Sequence, residues 1–270
     1  MGKDKLSGRR VVITGASSGI GLAAVPRFAA AGARLALIAR DEERLAEAVD
    51  AAGPAARAFS ADLGEGDSAD AAIAAAARWL GGIDVLVLNA AESSYGPFRD
   101  TPAEDFERTI ESTFGTGVNA VRAALPHLDE SEGSVVANLS VLSRFPVPMF
   151  SGYVAAKHAL RGFLGALRIE LERDGSGVQV SIVHPGHVDT PFWGRVNSVT
   201  GRLPRLPPLA YDADRVAAAL VDAAERPRRE HTVGALARLQ VVVAAVAMPL
   251  VDLSGRALGR WLESGEQAAA

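Results

Sequence analysis

The segment Thr14-Gly15-Ala16-Ser17-Ser18-Gly19-Ile20-Gly21 stands directly between a β-branched run, Val11-Val12-Ile13, and a stretch that reads as helix from about Ile20 to Ala31. Each glycine has a task at such a junction. Gly15 permits a tight turn, Gly19 lets the backbone approach a bound group, and Gly21 lets the helix pack close to the sheet. The helix start offers free N–H groups and partial positive charge, which suits phosphate. A loose glycine pattern means little alone, but a strand before it and a helix after it give it weight. Gly15, Ser17, Ser18, Gly19, Ile20 and Gly21 are therefore expected at a phosphate-bearing ligand. Pro26 falls inside the helix and removes the bond to the Leu22 carbonyl, so a kink or local loosening is expected there.

Beyond this turn, short aliphatic runs alternate with Ala-rich stretches. Strands are expected at Leu35–Ile38, Ala55–Ser60, Val85–Leu88, Ser134–Ser140 and Val178–Val183. Helices are expected at Glu42–Ala52, Ser68–Leu80, Gly152–Arg173 and Asp212–Glu225. Pro102–His127 reads as one long helix, or as two joined near Gly115 and Gly117. This alternation implies βαβ units and a parallel sheet with helices on both faces, in a single α/β domain over 1–270. The strands are almost continuously apolar, as a sheet covered on both faces requires. The stretch 191–210, with Pro191, Pro204, Pro207 and Pro208, is long and irregular. It follows the sixth strand at the edge where such sheets bind ligands, so a substrate lid is expected.

Composition removes several alternatives. The chain has no cysteine, so disulfides, thiolate chemistry and Cys-bound zinc are excluded. Its five histidines show no metal-ligand spacing, and no metal is expected. A net charge of −4 and the lack of a Lys/Arg-rich run argue against a nucleic-acid partner. The start, Met1–Gly8, is polar and runs into the first strand, so a cytoplasmic location is the expectation. Leu239–Val251, inside an apolar extension over 232–262, carries no charge across 13 residues. That is short of the roughly 20 needed to span a bilayer. It reads as a packed helix or a subunit interface, with contact at a membrane surface as the alternative.

The chemistry gathers on one later helix. Tyr153 and Lys157 are four residues apart and share a face. An ammonium beside a phenol favours the phenolate, so Tyr153 can exchange a proton with a carbonyl or alcohol oxygen. Ser140, at the end of the fifth strand, can orient that oxygen, or can satisfy its own loop backbone. The second strand ends at Ile38-Ala39-Arg40, with no acid at Ala39 to take adenosine ribose hydroxyls. Arg40 can instead meet a 2′-phosphate, which favours NADP(H) over NAD(H), unless it pairs with Asp41 or Glu42 on the surface.

Taken in order, these residues resemble the short-chain dehydrogenase/reductase family from about Arg9 to Phe192. The matching segments are Thr14–Gly21, Asp62-Leu63, Asn89-Ala90-Ala91, Ser140, Tyr153-x-x-x-Lys157 and His184-Pro185-Gly186-His187-Val188-Asp189-Thr190. The resemblance implies a Rossmann-type doubly wound sheet and hydride transfer between a nicotinamide and a carbonyl or secondary alcohol. It implies Ser140, Tyr153 and Lys157 as catalytic, Asp62 and Leu63 at the adenine, and Asn89 holding the cofactor loop. Pro185, Gly186, Val188 and Thr190 would line the nicotinamide. It also implies a homodimer or homotetramer, with the two long helices as interface.

Three positions depart from that pattern. Ala91 replaces a glycine that approaches the cofactor ribose. Thr113 replaces the asparagine that would hold a proton-relay water. Glu92 follows where small apolar residues are usual. These departures motivate a second reading, a nucleotide-binding sensor or scaffold without useful turnover. Phe192 and Trp193 in the lid suggest an apolar substrate.

Overall fold

Strand β1 (Arg10–Thr14) lies in the interior of the sheet and pairs in parallel on both sides. On one side come β2 (Arg34–Ala39) and β3 (Ala56–Ser60). On the other come β4 (Val85–Leu88), β5 (Ser134–Asn138), β6 (Gln179–Pro185) and β7 (Glu230–Val233). All seven strands run parallel in the order β7-β6-β5-β4-β1-β2-β3. The chain leaves β1 for β2 on one side and later returns to β4 on the other. The connections of β1 and β4 thus leave in opposite directions at a switch point, where doubly wound sheets open a crevice. The structure, a computed structural model, describes residues 6–205 and 209–246.

Alternation along the strands feeds two cores. Val11, Ile13, Leu35 and Leu37 point to one face, against α1 (Gly19–Ala30), α2 (Glu42–Ala52) and α8 (Ala213–Glu225). Val12, Ala36, Ile38 and Leu86 point to the other, against α3 (Gly66–Leu80), α5 (Thr116–Ser131) and α6 (Ser151–Arg173). This period of two is what a strand imposes, and both faces are apolar because both are covered. Side-chain caps mark the starts of α2 and α8. Asp41 Oδ1 accepts from Arg44 N at 3.1 Å, and Asp212 Oδ1 accepts from Asp214 N at 2.8 Å.

α1 continues through Pro26, whose side chain is exposed. The 102–127 region takes the second of its two expected forms, two helices joined at Gly115, and the join is a π turn. α4 (Ala103–Ile110) passes into π-helical Glu111–Gly115 and then into α5 without leaving helical dihedrals. β7 was not foreseen. Its sequence Glu230-His231-Thr232-Val233 has no apolar run, yet it pairs along Ile182–Pro185.

The lid region begins as α7 (Phe192–Arg195), and Asn197–Ser198 then pairs with Ser94–Tyr95. Pro207 and Pro208 lie outside the described residues. α9 (Ala235–Val246) packs Val241, Val243 and Ala244 towards Tyr95, Phe145 and Phe150, while Leu239, Val242 and Val246 are exposed. The rest of the apolar stretch, from 247 on, lies outside the described residues. Among the described residues no helix is long and apolar enough to cross a membrane, and no cluster of His, Asp and Glu could hold a metal.

Gly21 shows how closely α1 packs. A Cβ there would sit 2.1 Å from the Gly15 carbonyl oxygen and 2.5 Å from Asn89 Nδ2. Gly21→Ala is expected to destabilise the protein by about 2–3 kcal/mol. Gly162→Ala, on α6 with nothing within 4 Å, should stabilise it by about 0.5–1 kcal/mol. Urea unfolding of both variants checks the pair, and equal effects would contradict the packing described.

Candidate active site

The C-terminal ends of the strands border a cleft of about 570 Å³. One end is made by the glycine turn. Gly15 and Gly19 have φ of 63° and 53°, the left-handed region that glycine adopts without steric cost. Gly15 N–H donates to Ile38 O at 2.8 Å, and a Cβ on Gly15 would fall 2.8 Å from Ala90 backbone atoms. The turn is thus pressed against the loop after β4. Gly15, Ser17, Ser18, Gly19 and Ile20 border the cleft, with Asn89, Ala90 and Ala91 across from them. Gly21 does not border it. It is buried behind the turn and acts by close packing rather than by contact with a ligand.

A chain of hydrogen bonds runs from this turn to the other end. Asn89 Nδ2 donates to Gly15 O at 3.0 Å, and Asn138 Nδ2 donates to Asn89 Oδ1 at 2.8 Å. Lys157 Nζ then donates to Asn138 O at 3.2 Å. Asn138 ends β5, two residues before Ser140, and was not singled out from sequence. Its place at a strand end beside the cleft was the available signal. Lys157 is 2% exposed, and burial pushes its pKa down to about 7. Its ammonium lies 5.4 Å from the Tyr153 ring centre. Burial pushes the Tyr153 phenol well up, its hydrogen bond with Ser140 offsets only a small part of that rise, and the expected lowering by the Lys157 ammonium is not seen. Ser140 Oγ also accepts from Leu142 N at 3.1 Å, capping a short turn, so it serves its own loop and faces Tyr153 as well.

Behind Ser140 lies a network that the sequence did not reveal. Ser143 Oγ donates to Ser140 O at 2.6 Å, and His184 Nδ1 lies 3.0 Å from Ser143 Oγ and 3.2 Å from Ser140 O. The other ring nitrogen, Nε2, faces Glu230 Oε2 at 3.5 Å, an ion-pair distance longer than a hydrogen bond. Arg161 reaches the same carboxylate at 2.9 Å, and Arg144 bonds its second oxygen. His184 and the Arg161 and Arg144 guanidiniums hold the Glu230 carboxyl down at about 2, against a desolvation that pushes it up. The loop carrying Ser140 is thereby tied to the edge strand β7.

The adenosine end contains two corrections. Arg40 does not pair with Asp41 or Glu42. Asp41 pairs with Arg44 at 3.3 Å, and Arg40 lies 3.7 Å from Asp62 and bonds directly to Glu92. Thr113 is fully buried in the π turn and does not border the cleft. Its Oγ1 donates to Glu92 O at 3.0 Å and accepts from Glu92 N at 3.2 Å. With its hydroxyl engaged by both Glu92 backbone groups and no exposure, the side chain clamps a loop. Asp62 and Leu63 border the cleft, and Asn119 Nδ2, unremarked in the sequence, supports them by donating to Leu63 O at 3.1 Å.

Pro185, Gly186, Val188 and Thr190 close the cleft beside Tyr153. Tyr211 fixes them from behind, accepting from Gly186 N and donating to Val233 O. Aromatic rings form the remaining wall. Phe192 lies 5.5 Å from Tyr153, and Phe150 lies 6.5 Å from Tyr153 and 6.3 Å from Trp193, centre to centre. Trp193 Nε1 donates to Val188 O at 2.8 Å, which pins the start of the 191–210 segment to the cleft.

The comparisons agree with this geometry. The sequence pattern of the short chain dehydrogenase family matches residues 9–200. The chain is 34% identical over 255 residues to the uncharacterized oxidoreductase YxnA of Bacillus subtilis (strain 168), covering 92% of this chain and 71% of that protein. It superposes with a TM-score of 0.73 at 27% identity on an alcohol dehydrogenase from the archaeon Thermococcus sibiricus complexed with 5-hydroxy-NADP, over 83% of this chain and 95% of that one. It also superposes with a TM-score of 0.76 at 25% identity on the 3-ketoacyl-(acyl-carrier-protein) reductase from Brucella melitensis complexed with NADH, over 84% and 97%. The chain belongs to the short chain dehydrogenase family. It is an NAD(P)-dependent oxidoreductase.

The Glu230 network has a pH signature. A carboxyl held low in the folded state adds stability that is present above its unfolded pKa near 4.5 and is lost as pH falls through about 2. Glu230→Gln should cost about 1–2 kcal/mol at pH 7. The gap to wild type should narrow steadily between pH 4.5 and 2.5 in urea unfolding. A constant gap over that range would contradict the pairing.

Proposed function

We propose that the chain catalyses reversible hydride transfer between NADP(H) and a carbonyl or secondary-alcohol substrate, with Tyr153 as general acid and base. The observation that carries this reading is the meeting of Ser140, Tyr153 and Lys157 in the same cleft as the glycine turn. The residues fit a dinucleotide. Gly15 and Gly19 hold the left-handed backbone of the turn that borders the cleft, and the turn runs into the start of α1, where free N–H groups favour a pyrophosphate. When bound, the nicotinamide supplies or accepts the hydride.

The rest is the work of the chain. Asp62 and Leu63 receive the adenine end, and Arg40 is the cation available to a 2′-phosphate. Pro185, Gly186, Val188 and Thr190 bound the nicotinamide end. Ser140 donates to the substrate oxygen, and Tyr153 gives that oxygen a proton in reduction or removes one in oxidation. Lys157, pushed down to about 7 by burial, places its charge beside the Tyr153 ring when protonated, and in that form it opposes the burial that raises the phenol. Phe150, Phe192 and Trp193 exclude water and favour an apolar carbonyl compound.

Tyr153→Phe removes the proton and keeps the ring packing. Turnover of a panel of apolar ketones with NADPH should fall by at least about 10³-fold, while NADPH binding, followed by its fluorescence, stays within about twofold. Unchanged turnover would refute the role of Tyr153.

A further inference from the structure

Three departures from the family pattern, Ala91, Glu92 and Thr113, sit together in space. Thr113 grips the Glu92 backbone through both its N–H and its carbonyl. That grip fixes where the Glu92 side chain starts, and its carboxylate reaches across the adenosine end of the cleft to the Arg40 guanidinium, 52 residues away. Asp62 stands on the other side of the same guanidinium at 3.7 Å. The second cation here, Arg44, is paired with Asp41. These groups all border the cleft, and three carboxylates face two guanidiniums.

We propose that Glu92 is a specificity-determining residue, which competes with a ribose 2′-phosphate for Arg40 and so sets the balance between NADPH and NADH. This inference rests on the proposed dinucleotide cleft. A 2′-phosphate carries up to two negative charges and needs the fork that Glu92 occupies. Its approach requires the Arg40–Glu92 pair to open and brings like charges together. A ribose with free hydroxyls brings no charge, and its hydroxyls can donate to the same carboxylate. The pair is about half exposed, with side-chain exposures of 56% and 40%, so its opening is a modest penalty and not a block. The clamp by Thr113 makes the competition persistent, because the Glu92 backbone cannot swing away with its side chain.

The test is direct titration of the full chain with NADPH and with NADH, followed by nucleotide fluorescence, for wild type, Glu92→Gln, Arg40→Gln and the double variant. Glu92→Gln should tighten NADPH about three- to tenfold and leave NADH within about twofold. In the Arg40→Gln background the gain for NADPH should shrink to under about twofold. An unchanged NADPH affinity in Glu92→Gln, an equal gain for both nucleotides, or a full gain without Arg40 would each overturn the competition while leaving the cofactor reading intact. Failure of every protein to bind either nucleotide would overturn the cofactor reading, and this inference with it.

Discussion

The Lys157 ammonium lies almost completely buried against the carbonyl of Asn138, at the foot of the cleft. Holding a cation there costs free energy, and the drop of its pKa to about 7 is the sign of that cost. The surrounding structure makes the position tenable. Asn138 is fixed by Asn89, and Asn89 by the Gly15 carbonyl, so the lysine and the glycine turn belong to one hydrogen-bonded unit. The two ends of the cleft are therefore set relative to each other before any ligand arrives. Such fixed dipoles need little reorganisation when charge develops on a substrate oxygen.

The same unit explains why the sheet order matters. β1 and β4 are paired neighbours whose connections leave in opposite directions at the switch point, and their ends bring Gly15 and Asn89 together. β5 adds Asn138 and, just beyond its end, Ser140. β6 adds the Pro185–Thr190 wall. α6 then runs past all of them, with Tyr153 and Lys157 on its cleft face. Edge strand β7 contributes through Glu230, which reaches the Ser140 loop by way of His184 and two arginines. An edge strand far from the glycine turn thereby braces the loop that carries Ser140.

Much of this was legible in the residues alone, for identifiable reasons. The inner strands are continuous apolar runs, and the helices carry a strong period, so both were readable. That Tyr153, Lys157, Ser140 and the glycine turn would meet at one cleft was readable because local spacing or a place at a strand end sets each position. What escaped was non-local. β7 is polar and acquires its strand form from β6. The partner of Arg40 is distant in sequence and became visible only when the loop after β4 met the end of β2. Thr113 could be placed by counting, but its burial in a π turn, and hence its grip on Glu92, depends on how α4 and α5 pass across the cleft floor.

The central claim is that this prearranged cleft presents Tyr153 and Ser140 to one substrate oxygen beside a nicotinamide. A crystal structure of the chain with NADPH and an unreactive apolar carbonyl analogue tests it most directly. The account predicts the carbonyl oxygen within about 2.6–3.0 Å of both Tyr153 Oη and Ser140 Oγ, with the pyrophosphate on the Gly15–Gly19 turn. A carbonyl oxygen held elsewhere in the cleft, or a nicotinamide lying at the Arg40 end, would contradict it.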